Sequence, residues 1–534
     1  MIAGDVGAYA VRSPGEGAGA AHTVASIARS YGRTRMTVSP ARVRILVAAL
    51  LAVSFLGALD HTVVSTSLAT IAGDLGALEH MSWIMVGYTL AATVMLPVLG
   101  KLGDVAGPRS VFLASLGLFL VASLACGFAP DLGWLIAARV LQGLGSAGLQ
   151  LMSQTIIARV TSPRQRPRYM SIIGTAFPVA IVVGPVVGGL ITDFWGWSWV
   201  FWINIPVGIA AFALALVAVP RLPGGANPRF DIPGSIVFTG TLIVLVLAVT
   251  WIGDDTLRSA ALACAAAAVI GILALVAIER RAPEPILPPR ILRNRTMLTC
   301  LGLSLIVGSG LFAIVAYVPT YIQMAYRTTA TLSGLVPIAT VLGMLASNLL
   351  TGWLVSRSGR YRFYPVFGTL VGSVGLTIMA VLPAGMPLWV PMVVMAAVGI
   401  GTGSFMNLIL AVAQSAVARS DLGAVTATTN LVRQVGSAVG TAIVGGVVGF
   451  GVAAALPIGL DADTLTPAVV RAAAPQVQDA VAVIYHDTFA PVFLGLALVY
   501  ACGIVFAVLL PGGRLSDDAP VPLPAVSDLD RRPA

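Results

Sequence analysis

The stretch P178-VAIVVGPVVGGLITD-F194 is apolar almost throughout, yet it contains Gly184, Pro185, Gly188 and Gly189. Glycine and proline are poor helix formers in water. In hydrocarbon the balance differs. There, small residues let two helix backbones approach, and close packing replaces the hydrophobic force as the source of association. The spacing Gly184-x-x-x-Gly188 puts two bare positions on one helix face. Pro185 removes a backbone donor and is a place where the helix can bend. The stretch reads either as a packing seam or as a hinge and sealing surface in a moving machine.

The rest of the chain supports a membrane setting. Of its 534 residues, 57% are hydrophobic and only 10% charged, with a mean hydropathy of +0.94. A soluble chain carries about a quarter charged residues. The apolar runs are of roughly 20 residues and lack barrel-type alternation, so the expected class is an all-α polytopic membrane protein. Fourteen spans are expected, near 44–68, 82–99, 110–129, 132–156, 170–192, 199–220, 233–252, 259–279, 297–323, 332–355, 363–383, 387–413, 422–450 and 489–511.

Basic residues orient these spans. Alternate loops hold Arg44, Lys101, Arg109, Arg159, Arg164, Arg166, Arg168, Arg280, Arg293, Arg357, Arg360, Arg419 and others, whereas the opposite loops hold only Arg258, Arg327 and Arg471. The basic side is expected to be cytoplasmic and to hold both termini. The net charge of +9 is then topological, and no nucleic-acid partner is implied. Residues 1–43 and 512–534 are expected to be disordered cytoplasmic tails, with Met36 an alternative start and no cleaved signal before the first span. The loop 451–488 is expected to lie as an amphipathic helix on the membrane. The four cysteines fall within spans, and neither they nor the four histidines form a metal pattern. No cofactor is expected.

A repeat is also visible. Gly100, Leu102 and Gly107 in GKLGDVAG recur as Gly352, Leu354 and Gly359 in GWLVSRSG. At the same offset, Gly184 and Gly188 recur as Gly436 and Gly440. The shift carries span 2 onto span 10 and span 5 onto span 13. Two parallel six-span halves, 44–220 and 297–511, then flank two inserted spans within 221–296. This 6 + 2 + 6 plan suits a transporter with its site between the halves.

Ionisable groups cost roughly 2.5–3.5 kcal/mol each at membrane depth, so they commonly mark function. Only Asp60, Arg139 and Arg433 lie well inside spans. From the helical rise, Asp60 and Arg139 lie at similar depths, roughly 12 and 10 Å from the same face, so a charge pair is expected. Asp60 reads either as a structural partner of Arg139 or as a proton carrier. Asp104, in the loop after span 2, reads either as a helix cap or as a latch between moving halves.

These motifs resemble the major facilitator superfamily, in particular its 14-span drug:proton antiporters of the EmrB/QacA type. LDHTVVSTSLATI (59–71) resembles LDxTIVNVALPxI, departing at Ser65 and Ala69. GKLGDVAGPRS (100–110) resembles GxLADRxGRR, departing at Val105. RVLQGLGSAG (139–148) resembles RxxQGxGxA, GPVVGG (184–189) the helix-5 antiporter signature, and WGWSWVFWINIPVG (195–208) the sequence that follows it, departing at Ser198. TNLVRQVGSAVGTA (429–442) resembles the helix-13 motif. The resemblance covers about residues 44–511 and implies the major facilitator fold and export by alternating access against inward proton flow. It assigns proton coupling to Asp60 and Arg139, and gating to Gly100, Asp104, Gly107 and Arg109. Gly184, Pro185, Gly188 and Gly189 would pack against the other half. Gln142, Asn204, Arg433 and Gln434 are assigned to the substrate pathway. The expected protein is a monomeric exporter of neutral or singly charged amphipathic molecules in the cytoplasmic membrane. The alternative on the same fold is export or flipping of an envelope lipid. An enzyme is disfavoured by short, basic loops without a metal or nucleotide motif.

Overall fold

A computed structural model describes residues 40–76, 81–222, 224, 231–251, 257–282, 293–383, 385–456 and 467–517. Those residues form helices and no named strands. Among the described residues thirteen helices are long and apolar enough to cross a membrane, and Pro233–Ala248 is a shorter apolar helical stretch. In chain order they are α1 Pro40–Asp74, α2 Ser82–Ala106, α3 Pro108–Gly127, α4 Leu132–Val160, α5 Arg166–Trp195, α6 Ser198–Ala218, α7 Ile232–Trp251, α8 Arg258–Glu279, α9 Arg295–Ala325, α10 Ala330–Ser358, α11 Phe363–Val381, α12 Trp389–Ser415, α13 Leu422–Ala455 and α14 Pro475–Leu509.

The repeat seen in the sequence reappears as paired contacts. Within the first half α5 packs on α1: a Cβ added at Gly184 would overlap Thr62, and one at Gly188 would lie 2.9 Å from the Val63 carbonyl. Thr62 Oγ1 donates to the Ala180 carbonyl at 3.1 Å. Within the second half α13 packs on α9 in the same way, with Gly436 against the Leu305 carbonyl and Gly440 against Ser309. Between halves, Gly100 of α2 meets Gly423 and Ala427 of α13, and Gly352 of α10 meets Pro167 and Ser171 of α5. Each repeated glycine marks a place where backbones touch. The inserted α7 lies against α2 and α13, where Phe238 and Leu242 bury against Val94 and Leu431, and α8 packs on α7 through Leu275.

Four expectations need correction. The glycine face of α5 packs on α1 of its own half, not on the other half. The contact of α5 with the second half comes from its basic end, through Ser171 and the Phe177–Phe312 ring pair (5.7 Å). Second, α5 is interrupted at Thr175 and runs helically through Pro185, because the Thr175 hydroxyl and amide both bond back to the Ile172 carbonyl.

Third, α14 begins at Pro475, so most of the presumed surface helix belongs to it. Val481, Ala482, Tyr485 and Phe489 bury at helical spacing, and the Phe489 ring packs tilted against Tyr321, with ring centres 4.9 Å apart. The polar residues on its other face, such as Gln478 and Asp479, hid this turn-by-turn stripe from a hydropathy reading. Residues 457–466 lie outside those described. Fourth, residues 511–517 of the expected disordered tail are laid against the basic end of the bundle. Leu515 is buried, and its amide donates to the Gly359 carbonyl at 2.9 Å. The expectations for residues 1–39 and 518–534 lie outside the described residues.

The α1–α5 seam generates a prediction. Gly188→Leu inserts a side chain into a filled contact and is expected to destabilise the protein by about 1–3 kcal/mol or more. Gly189→Leu is expected to be tolerated, since a Cβ there meets nothing within 4 Å. Thermal unfolding of the two purified variants checks this.

Candidate functional site

Five helices converge on one carboxylate. Asp60 on α1 accepts from Arg139 Nη1 of α4 at 2.7 Å, from Gln142 Nε2 of α4 at 2.9 Å and from Asn204 Nδ2 of α6 at 2.8 Å. Arg139 Nη1 also donates to Gln142 Oε1 at 2.7 Å. Ser123 on α3 accepts from both amides, at 3.0 and 2.9 Å, and donates to the Phe201 carbonyl. Tyr88 of α2 lies under the guanidinium, 4.1 Å from ring centre to Cζ.

The RxxQG spacing explains the local build. Arg139 and Gln142 are one helical turn apart and share a face. Gly143 lets α2 close in, since a Cβ there would lie 3.1 Å from the Tyr88 carbonyl carbon. Both side chains of the ion pair are 0% exposed. A charge pair this deep is tolerated only because both members are paired and hydrogen-bonded. Among the described residues Arg139 Nε and Nη2 have no hydrogen-bond partner. They lie instead in the guanidinium plane that faces Tyr88, which offers cation–π attraction.

The expected pairing of Asp60 with Arg139 is therefore present. Gln142 and Asn204, assigned to the substrate pathway by the resemblance, both donate to Asp60. They are 0% and 1% exposed and hold Asp60 inside the first half. Arg433 and Gln434 do not join this network. They are partly exposed on α13. Ser123 and Tyr88 had no sequence signal, because a single Ser or Tyr in an apolar span matches many core positions.

A second cluster joins the halves at the basic end. Asp104 does not cap its own helix or meet Arg109. Its carboxylate accepts from the Gly423 and Ala424 amides, each at 3.0 Å, and from Arg159 at 2.9 Å. It thus occupies the N-terminus of α13 in the other half, where the helix dipole and free amides favour an anion. Gly100, one turn earlier, allows this approach, and Gly107 makes the turn into α3 with φ 87°. Arg109 instead donates to the Leu216 carbonyl at the end of α6 (2.8 Å).

At the related place in the repeat, cations sit on helix C-termini. Arg164 Nε donates to the Ser356 carbonyl at 3.1 Å, and the buried Arg166 donates to the Gln414 carbonyl at 2.9 Å. Arg164 also holds the strap formed by 511–517, through the Ser516 carbonyl (3.1 Å) and Asp517 (3.2 Å). Tyr361 donates to the Pro511 carbonyl at 2.7 Å, and burial raises its pKa, which keeps it a donor. Further in, Asn348 donates to the Ser171 carbonyl and Asn430 to Gln154. The halves are closed on each other at the basic end.

Comparison with known proteins agrees with this geometry. The Major Facilitator Superfamily family model matches residues 50–441. An uncharacterized MFS-type transporter of Mycobacterium tuberculosis is 32% identical over 490 residues, covering 90% of this chain and 71% of its own. The multidrug transporter protein MdtP of Bacillus subtilis is 31% identical over 405 residues, covering 76% and 75%. The solved proton:xylose symporter XylE superposes with a TM-score of 0.58 at 11% identity, covering 90% of this chain and 98% of its own. The chain belongs to the Major Facilitator Superfamily. It is a multi-pass membrane transporter of small molecules, not an enzyme, and has the major facilitator fold.

The latch can be tested directly. Asp104→Asn keeps the shape but removes the charge from two amides and Arg159, and is expected to weaken closure at the basic end by about 1–2 kcal/mol. With Cys264 and Cys502 replaced by serine, the thiol of an Ala427→Cys probe, buried at the seam with Gly100, should then be alkylated several-fold faster by a water-soluble maleimide than in the same probe with Asp104 intact.

Proposed function

We propose that the chain is a proton-coupled exporter of amphipathic small molecules, of the 14-span drug:proton antiporter type, with its basic end in the cytoplasm. The observation that carries this reading is Asp60, a carboxylate deep in the first half whose partners form a ready alternative arrangement. Arg139 Nη1 is shared between Asp60 and Gln142. When Asp60 is charged, the pair is neutral and α1, α4 and α6 are drawn together. When Asp60 takes a proton, Arg139 loses its counter-charge and is held by Gln142 and Tyr88 alone. That change alters how α1 sits on α4 and, through the Thr62–Ala180 contact, how α5 sits on α1.

In this reading the described state is outward-facing, with Asp60 charged and the cytoplasmic end shut by Asp104, Arg164 and Arg166. A proton from outside discharges Asp60. The halves then rock, and the latch on α13 releases. The cavity opens to the cytoplasm, where substrate enters and the proton leaves. Similarity to a multidrug transporter supports a drug-like substrate, and the helix-5 signature supports antiport. Substrate and proton need not touch, because the proton site is enclosed within the first half while transporters of two such halves take substrate between them.

The test is dye efflux from vesicles under an imposed pH gradient. Asp60→Asn is expected to fold and bind dye but lose gradient-driven efflux. Arg139→Ala is expected to be destabilised by about 3–5 kcal/mol, since it leaves a buried carboxylate unpaired. Efflux in Asp60→Asn equal to that of the unaltered protein would refute the assignment.

A further inference from the structure

Of the three charges deep in the spans, Asp60 and Arg139 cancel each other. Arg433 does not take part. Its hydrogen bond is to Asn430 Oδ1 on the preceding turn, and among the described residues no carboxylate pairs with it. It lies about three turns into α13 from Leu422, roughly 16 Å along the axis.

The neighbours of α13 define which way this face looks. Leu431 and Val435 pack toward α2 and the inserted helices. Gly436 and Gly440 press on α9. Asn430 reaches Gln154 on α4 of the other half. Arg433 and Gln434 therefore flank the face of α13 that looks between the halves, and both are partly exposed. The closed contacts of Gly423, Ala424, Ala427 and Asn430 all lie nearer the basic end. Arg433 thus stands one turn beyond the last of these closed contacts, on the face of α13 turned toward the other half. On α5, also about three turns from its basic end, Phe177 meets Phe312 of α9 and supplies apolar surface at the same level of the junction.

We infer that Arg433, assisted by Gln434, is the head-group site for an anionic amphipath: a carboxylate, sulfonate or phosphate ester on an aromatic or aliphatic body. An unpaired guanidinium is costly at membrane depth unless water or a counter-ion attends it. Water can attend it while the cavity is open. When the halves close around the cargo that water is largely lost, and an anion that accepts from the guanidinium fork replaces it with charge-assisted hydrogen bonds. A cationic cargo would meet like charge at the same point with no carboxylate to offset it. This inference depends on the export reading only for the direction of transport.

The test is equilibrium binding to the full chain in detergent at one pH, without any gradient. The probes share one shape: 1-naphthoate, 1-naphthylmethanol and 1-naphthylmethylammonium. Naphthoate is expected to bind roughly 10–100-fold more tightly than the alcohol, the size expected for hydrogen bonds to a charged group, and the ammonium more weakly than both. In Arg433→Gln, confirmed as folded by monodisperse elution, naphthoate is expected to fall to the affinity of the alcohol. If that variant is not recovered folded, Arg433→Lys decides. It keeps the charge and loses the fork, so naphthoate should weaken yet remain tighter than the alcohol. Equal binding of naphthoate and alcohol in the unaltered protein, or in Arg433→Lys, overturns the inference. So does an anion preference that survives Arg433→Gln. Because no gradient is applied, these outcomes are independent of whether Asp60 carries the proton.

Discussion

A carboxylate and a guanidinium that neither water nor lipid can reach must satisfy each other. The Asp60–Arg139 pair imposes that condition on the first half. Two amides, a serine hydroxyl and an aromatic face are arranged to complete it, and they come from α2, α3, α4 and α6. The glycine at 143 is a packing consequence, because helices that carry so central a contact must approach closely, and the separate α1–α5 seam at Gly184 and Gly188 brings α5 against the same α1. The same network makes the half responsive. Neutralising one carboxylate changes the condition that every member meets.

The two halves share a plan but not a chemistry at their junction. α2 meets α13 and α10 meets α5, as a repeat requires. One junction places an anion on helix amides, through Asp104. The other places cations on helix carbonyls, through Arg164 and Arg166. Both use the helix dipole, with opposite sign. The strap at 511–517 adds to the second junction by bonding to Gly359 and Arg164 together. Closure at the basic end is thus built from several modest bonds, an arrangement that can be undone stepwise.

Much of this was legible in the sequence because the membrane narrows the options. Charge and hydropathy identified the spans, the common offset of the glycines identified the halves, and the scarcity of deep charges singled out Asp60, Arg139 and Arg433. What stayed hidden was direction. Gln142 and Asn204 point inward to Asp60. The glycines of α5 face α1 and not the other half. Asp104 reaches across to α13, with Arg159 and not Arg109 beside it. A linear sequence gives the depth of a residue from the helical rise but its facing only when several neighbours constrain it. The polar-faced start of α14 and the docked strap were missed for a related reason: hydropathy averages over a helix, and tertiary contacts select one side of it.

The central claim is that the charge state of Asp60 governs closure at the basic end. It is tested most directly by the distance between spin labels at the exposed positions Arg168 and Ser358, one in each half. The partly exposed Cys264 and exposed Cys502 are replaced by serine, and the buried Cys126 and Cys300 are left in place. The account predicts a short distance at alkaline pH, a growing long-distance population as pH falls, and no pH response in Asp60→Asn. A distance that does not change with pH, or a pH response that persists unaltered in Asp60→Asn, would contradict it.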